Sequence, residues 1–482
     1  MNIKVYQAGL KFMLCNTVKR LFNGEVYFDH SLDHGIYGRI KANVPIDQNN
    51  LNKIKNYMVT MVNENLPFSK KIVSKQEAYN FYMNKNNTEK AYNILDIANV
   101  AVSMFSLEGQ YNYYYTHDMP ATTGSLKYFD LYYVNTNEFV LVYPYNGRMD
   151  YSFRSHIYEA FKEYETWSNN IGIEYVCDLN NMVAKGQYED LIRKNEIKED
   201  TNIYEIAKKI IELNKKIILL AGPSSSGKTT SSRKLSLYLS SFGVNALPIS
   251  LDDYFVDRDK TPLGADGKPD YESINAIDLK MFTSNLTDLL QGKSVSLPIY
   301  NFTVGTHTLA KPVTLGKNDV IVVEGLHAIN PELIKLLDSN VIYKVYISPF
   351  TPLSIDRHNY VSTTDNRLIR RIIRDFRTRG KSAEETILSW QSVREGEEKN
   401  IFPYTDTVDA VLNTAYIYEI GVLKVYVEPL LACIPMNSKA YSEARRLLDE
   451  FRTFYPIPSD EIPKDNVLRE FIGGSSFERI EE

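Results

Sequence analysis

Residues 222–229 read Gly-Pro-Ser-Ser-Ser-Gly-Lys-Thr, a complete Gly-x-x-x-x-Gly-Lys-[Ser/Thr] pattern. Its glycines permit a tight turn whose backbone N–H groups converge on phosphate oxygens. Gly222, Ser224, Ser225, Ser226 and Gly227 are the candidate cradle for ATP phosphates, and Thr230, at the start of the segment that follows, is a further candidate ATP contact. Lys228 is suited to reach β- and γ-phosphates, and Thr229 to put its hydroxyl on Mg²⁺. The chemistry this pattern can do is nucleotide binding. It requires a strand before the loop and a helix after it. Lys215–Ala221 is a short apolar run of strand type, and Thr230–Phe242 is a helical stretch closed by Gly243.

Ligands of open α/β sheets gather at the carboxyl ends of strands, so acids that follow apolar runs are the next candidates. Asp252 and Asp253 follow Ala246–Leu251. Asp252 is placed to take the proton of an attacking hydroxyl and to share in holding a metal ion, whereas Asp253 reads as structural. Glu324 closes the run Val320–Val323 and precedes Gly325, a position that suits a carboxylate holding Mg²⁺ directly or through water. Arginines 367, 370, 371, 374 and 377 recur at helical spacing between Leu368, Ile369, Ile372 and Ile373. Guanidinium groups facing a triphosphate neutralise charge that develops in transfer. The same spacing also allows pairs along one helix, such as Arg371 with Asp375.

These groups must be positioned by a sheet. Strands are expected at 215–221, 246–251, 320–324, 341–347 and 410–413, alternating with helices. That alternation predicts an α/β fold with a parallel sheet and helices on both faces. Residues 1–157 mix helices (8–21, 51–64 and 74–84) with strands (25–30, 36–40, 108–115, 127–133 and 139–143), an α+β pattern. The expected organisation is an α+β domain over 1–157, a helical connector over 158–214 with helices at 160–171, 180–195 and 202–214, a phosphate-binding domain over 215–435, and a helical tail over 436–482 ending loosely at Ile472-Gly-Gly-Ser-Ser.

At 482 residues the chain exceeds one compact core. A net charge of −5 argues against nucleic acid as the main partner. Three widely separated cysteines form neither metal-ligand spacing nor a disulfide framework, which suits a reducing cytosol. No apolar run approaches the ~20 residues that cross a bilayer, and the N-terminus lacks a signal-peptide core. A cytoplasmic protein that forms homo-oligomers is expected.

Residues 215–414 resemble the uridine kinase and phosphoribulokinase family of P-loop kinases. The resemblance is carried by 221–230 (AGPSSSGKTT), 251–255 (LDDYF), 270–278 (DYESINAID), 297–302 (LPIYNF), 322–325 (VVEG) and the arginine-rich 367–381, in that order. It implies a nucleoside monophosphate kinase-like P-loop fold and Mg²⁺-dependent transfer of the γ-phosphate of ATP to a primary hydroxyl, with a small-molecule nucleoside such as uridine or cytidine as acceptor. By position it makes Asp252 the catalytic base and Glu272 the holder of ribose hydroxyls. Tyr300 and Phe302 line the base pocket, Arg371 touches substrate, and Arg374 and Arg379 touch ATP phosphates. The family's base-reading histidine is expected near Gly305, and His307 is the nearest here. Lys381 replaces an arginine, and Trp390 stands near the expected lid glutamine. These departures leave another pentose or a sugar phosphate open as acceptor. An RNA-binding regulator switched by ATP is the alternative of another class.

The N-terminal region is similar to the second additional domain of threonyl-tRNA synthetases, through Val18-Lys-Arg-Leu-Phe, Asp33-His-Gly-Ile-Tyr, Glu64-Asn-Leu-Pro-Phe and 120–129 (PATTGSLKYF). Where that family places its editing ligands, this chain has Ala8, Phe12, Tyr114 and Asp118. Without those ligands the preferred expectation is a structural or dimerising module without a metal, the alternatives being a regulatory small-molecule site or a retained weak tRNA contact.

Overall fold

In a computed structural model, the structure describes residues 3–96, 100–112, 118–145, 147–264, 267, 270–301, 304–351 and 353–477. It divides into two compact units, neither of them continuous in sequence. The first comprises residues 1–188, 351–366 and 420–457; the second comprises 189–350, 367–419 and 458–482. The linear boundaries expected at 157, 214 and 435 are thus not where the units divide. Two later excursions of the chain complete the first unit, and the last 25 residues complete the second. Composition carries no mark of such returns.

The first unit is built on an antiparallel sheet in the order Glu25–Leu32, Gly35–Lys41, Glu138–Val142, Asp130–Asn135. Helices Ile3–Phe22 and Gln48–Glu64 bury Leu10, Met13, Leu14 and Val18, and Leu51, Ile54, Met58 and Met61, in one core with Phe28, Ile40 and Leu141. Asp47 caps the second helix by accepting from the Asn50 N–H. Of the strand expected at 108–115, Gln110–Asn112 is extended, Glu108–Gly109 is a turn joining it to Ala101–Leu107, and 113–115 lie outside the described residues. Both turn residues have positive φ, which breaks the extended run there. Ala8 and Phe12 are buried core residues, Asp118 is exposed, and Tyr114 lies outside the described residues. His30 stacks between Tyr37 and Phe161, and burial pushes its pKa down to about 3, so its ring packs there uncharged.

The second unit carries five parallel strands in the order Ala410–Asn413, Ile342–Ser348, Ile217–Ala221, Val320–Glu324, Ala246–Ser250. Ile217–Ala221 is buried at every position, as a central parallel strand must be. Helix Tyr188–Glu212 packs Ile203, Ile206, Ala207 and Ile210 on this sheet together with Leu235 and Leu239 of helix Lys228–Ser241. The helix expected at 180–195 is interrupted at 185–187, where Gly186 takes φ +69°, and 188–212 is one continuous helix rather than part of a free connector. Buried Lys234 ties it to the loop helix through Glu199 at 2.8 Å and Asp200 at 3.1 Å. The expected loose end is also ordered: Leu468–Ile472 is a short helix, and the Ser476 N–H donates to the Lys464 carbonyl at 2.8 Å. Among the described residues, no helix is long and apolar enough to cross a membrane.

Gly38 lies mid-strand where a Cβ would meet the Tyr27 carbonyl oxygen at 2.4 Å and Phe139 Cζ at 2.9 Å. Gly38→Ala is expected to destabilise the first unit by about 1–3 kcal/mol through overpacking. Denaturant unfolding measures this, and an unchanged midpoint contradicts the packing described.

Candidate phosphate-transfer site

The loop 222–227 leaves the carboxyl end of the central strand Ile217–Ala221, where the strands on its two sides follow different connections. A Cβ on Gly222 would meet the Ile347 carbonyl oxygen at 2.3 Å, so only glycine fits against the neighbouring strand. Ser225 and Gly227 have φ of +60° and +83°, and the second hands the chain directly into helix Lys228–Ser241. The Lys228 ammonium turns back to donate to the carbonyls of Gly222, at 2.9 Å, and Pro223, at 3.1 Å. Burial lowers its pKa, while the charges of Glu324 and Asp252 pull it back up.

The two lid helices, Thr363–Thr378 (from Arg367 onward in this unit) and Ala383–Asn400, grip this loop. Ser224 is held on three polar atoms. Its N–H donates to Glu397 Oε1 at 2.8 Å, its carbonyl accepts from Arg367 Nε at 3.1 Å, and its hydroxyl accepts from Arg371 Nη1 at 2.6 Å. Arg374 Nη2 donates to the Ser225 hydroxyl at 3.2 Å, and the Thr414 hydroxyl donates to the Ser226 carbonyl at 2.6 Å. Arg367 and Arg370 are fully buried against Glu397 and Glu419. They shape the loop and its surroundings. Arg371 and Arg374 instead carry hydroxyl contacts that a phosphate could take over, although Arg371 also pairs with Asp375 at 3.3 Å as helical spacing allows. Arg379 is exposed, pairs with Asp375 at 3.0 Å, and its charge reaches Asp252.

The two acids are brought together by a close turn. A Cβ on Gly325 would meet Leu251 Cβ at 2.7 Å, so the end of one strand abuts the 3-10 turn Leu251–Tyr254 of the next. Glu324 accepts from the Ser250 hydroxyl at 2.9 Å. Burial, then the charge of Asp252, pushes Glu324 up to about 7. Burial likewise raises Asp252, against the pull of Lys228, Arg379 and Arg374. Water reaches the Asp252 side chain, so its upward shift reflects the protein packed around a recess rather than enclosure of the carboxylate itself. Thr229 is exposed. Asp252 raises Glu324 by charge, a repulsion that a divalent cation would relieve, and Thr229 offers an exposed hydroxyl as a further oxygen ligand. Asp253 does structural work, accepting from the Tyr300 N–H at 3.2 Å.

That bond ties the Asp252 turn to the hairpin Pro298–Asn301 and Thr306–Leu309, in which Tyr300 and His307 are direct partners with ring centroids 5.3 Å apart. Tyr300 is buried, and His307 Nδ1 lies 3.4 Å from Asp257 Oδ1. Phe302 lies outside the described residues. Glu272 is seated by the second lid helix. The Asn400 amide donates to its carbonyl at 2.7 Å, and a Cβ on Gly396 would meet Glu272 Cβ at 2.8 Å. Burial and the charge of Glu397 raise Glu272 to about 7, with Arg371 drawing it down. Trp390 is buried with Arg367 over its ring at 5.3 Å. Glu397, Asn400 and Glu470 were not legible as site residues. Gly396 was the available signal, since a glycine inside a helix often marks a close approach.

Residues 217–419 match the model of the phosphoribulokinase/uridine kinase family. A uridine kinase of Macrococcus caseolyticus is 33% identical over 178 residues, 37% of this chain and 77% of the relative. A uridine kinase of Ligilactobacillus salivarius is 33% identical over 183 residues, 37% of this chain and 76% of the relative. A solved structure of a possible uridine kinase from Bacillus stearothermophilus is 19% identical, covering 44% of this chain and 98% of that one with a TM-score of 0.30. The chain belongs to the phosphoribulokinase/uridine kinase family, and the chemistry of its second unit is phosphoryl transfer to an alcohol acceptor.

Proposed function

We propose that the protein is an ATP- and Mg²⁺-dependent nucleoside kinase that phosphorylates the 5′-hydroxyl of uridine or cytidine. The observation that carries this reading is that the phosphate loop and Glu272 are held by the same elements, Ser224 by Glu397 and Arg371 and Glu272 by Asn400, with Asp252 near enough in charge to act on both Lys228 and Glu272. ATP with Mg²⁺ supplies the γ-phosphoryl group and neutralises its charge. Loop amides and Lys228 bind the phosphates; Thr229 and Glu324 hold the metal, with Asp252 beside it. Asp252 accepts the proton of the acceptor hydroxyl, Arg371 contacts the acceptor, and Arg374 and Arg379 stabilise negative charge at the ATP phosphates. Glu272 orients the sugar by accepting from its hydroxyls, while Tyr300 and His307 face the base. The lid excludes water and so limits ATP hydrolysis. The first unit is read as a structural or dimerising module, a reading supported by core packing at Ala8 and Phe12. The relatives' name, uridine kinase, supports the acceptor class.

Asp252→Asn is expected to lower kcat for acceptor-dependent ADP release by roughly 10²–10⁴-fold, the range of a positioned general base, with ATP still bound. Wild-type turnover in this variant removes Asp252 from the chemistry. Glu272 titrates at about 7, and only its ionised form accepts from both ribose hydroxyls. The acceptor KM is therefore expected to fall as pH rises through about 7 and to level off above it. Glu272→Gln is expected to raise the acceptor KM roughly tenfold to a hundredfold, the value of one or two hydrogen bonds to a charged group, and to flatten that pH profile. A profile unaltered by the substitution assigns the inflection elsewhere.

A further inference from the structure

Residues 458–477 lie beyond the stretch that the family model matches, 217–419, yet they pack on the phosphate loop. A Cβ on Gly227 would meet Val467 Cγ1 at 2.4 Å. The Val467 N–H donates to the Tyr416 hydroxyl at 3.4 Å, and Asn466 Nδ2 donates to the Tyr418 hydroxyl at 3.1 Å and to Glu196. Arg377 fastens the next turn by donating to the carbonyls of Glu470, at 2.9 Å, and Phe471, at 3.0 Å. The Phe471 ring lies beneath the guanidinium groups of Arg370, at 5.1 Å, and Arg374, at 5.9 Å.

This packing delivers one carboxylate to the donor site. Glu470 Oε2 accepts from the Thr230 hydroxyl at 2.9 Å, and Glu470 Oε1 faces Arg374 Nη1 at 3.4 Å. A hydroxyl and a guanidinium around an anionic oxygen is the environment a phosphate oxygen seeks. Both groups are among those assigned above to ATP. The triphosphate is polyanionic, and Glu470 already adds its negative charge to the field at Glu324. The Thr230 hydroxyl has one proton to donate, so it cannot serve Glu470 and a phosphate oxygen at once, and the two anions would repel each other beside Arg374.

We propose that residues 458–477 form an autoinhibitory strap in which Glu470 occupies a donor-phosphate subsite and must leave it when nucleotide binds. The strap rests on the reading of the loop as an ATP site, but not on the identity of the acceptor. Its helix, Leu468–Ile472, has five residues and too few turns to hold its shape unsupported. Its position therefore depends on Arg377 and on the buried side chains of Val467, Leu468 and Phe471. Loss of the Glu470 contact frees Thr230 and Arg374 for the donor and leaves the apolar anchors in place to draw the strap back.

The test is calorimetric binding of the non-hydrolysable analogue AMP-PNP with Mg²⁺ to the full chain, without acceptor. Glu470→Gln is expected to bind about tenfold more tightly than wild type, the equivalent of one charge-assisted contact no longer competing. Arg377→Ala, which loosens the strap without touching the carboxylate, is expected to shift affinity in the same direction. Hydrogen exchange on the wild-type protein supplies a readout independent of any variant: amides 466–473 are expected to lose protection when AMP-PNP saturates the site. Unchanged or weaker binding in Glu470→Gln, or gained protection of those amides, overturns the strap and makes Glu470 part of the bound donor site. A wild-type chain that binds no AMP-PNP overturns the strap and the ATP reading together, whereas a chain that binds it but phosphorylates no nucleoside overturns only the proposed acceptor.

Discussion

The hold on Ser224 is the constraint from which the rest of the second unit follows. One residue of the phosphate loop is fixed on its amide, its carbonyl and its hydroxyl by Glu397, Arg367 and Arg371. The pair Arg367–Glu397 is buried, with N···O of 2.5 Å. A buried ion pair gives little net stability, because desolvation offsets attraction, but leaving one partner alone costs about 3–5 kcal/mol. Such a pair enforces geometry more than it adds stability. Here the geometry is that of the loop. Glu397 also bears on Glu272, whose pKa it raises, so one carboxylate links the donor loop to the acceptor side.

Electrostatics make the recess incomplete by itself. Burial raises Asp252, burial and the charge of Asp252 raise Glu324, and burial lowers Lys228, so all three are pushed toward neutrality. Each of these shifts is a cost to the charged form that a metal ion and a phosphate chain of the right signs would remove. The groups are thus spaced for ligands that the protein alone does not replace. Glu470 is the partial exception, being an anion that the chain provides for Thr230 and Arg374.

What the sequence disclosed and what it withheld divide along physical lines. The strand, loop and helix around 217–241 were legible because periodicity and glycine placement are local. Val320–Glu324 and Ala410–Asn413 were legible for the same reason, as were the positions of Glu324 at the end of one strand and Asp252 just past another. The opposite fate of neighbouring arginines was not legible. Arg367 and Arg370 turn inward to Glu397 and Glu419, which lie 30 and 49 residues away, whereas Arg371 and Arg374 reach loop hydroxyls. Composition at 472–476 suggested a frayed end, because Gly-Gly-Ser-Ser has no propensity to order itself. The anchors that order it, Val467 and Phe471, act through residues 227 and 370. The return of 351–366 and 420–457 to the first unit was hidden likewise, since unit membership is decided by long-range packing.

The proposed reaction of this recess moves a phosphoryl group from ATP to the sugar of a nucleoside. It is tested most directly by incubating the protein with Mg²⁺ and γ-labelled ATP, in separate reactions, with ribonucleosides, their 2′-deoxy counterparts, free pentoses and sugar phosphates, and locating the label by ³¹P NMR. Label is expected on the 5′-oxygen of uridine or cytidine, with the ribonucleoside preferred over the deoxy form. Label found only as inorganic phosphate, or on a free pentose or sugar phosphate while nucleosides stay unmodified, contradicts it.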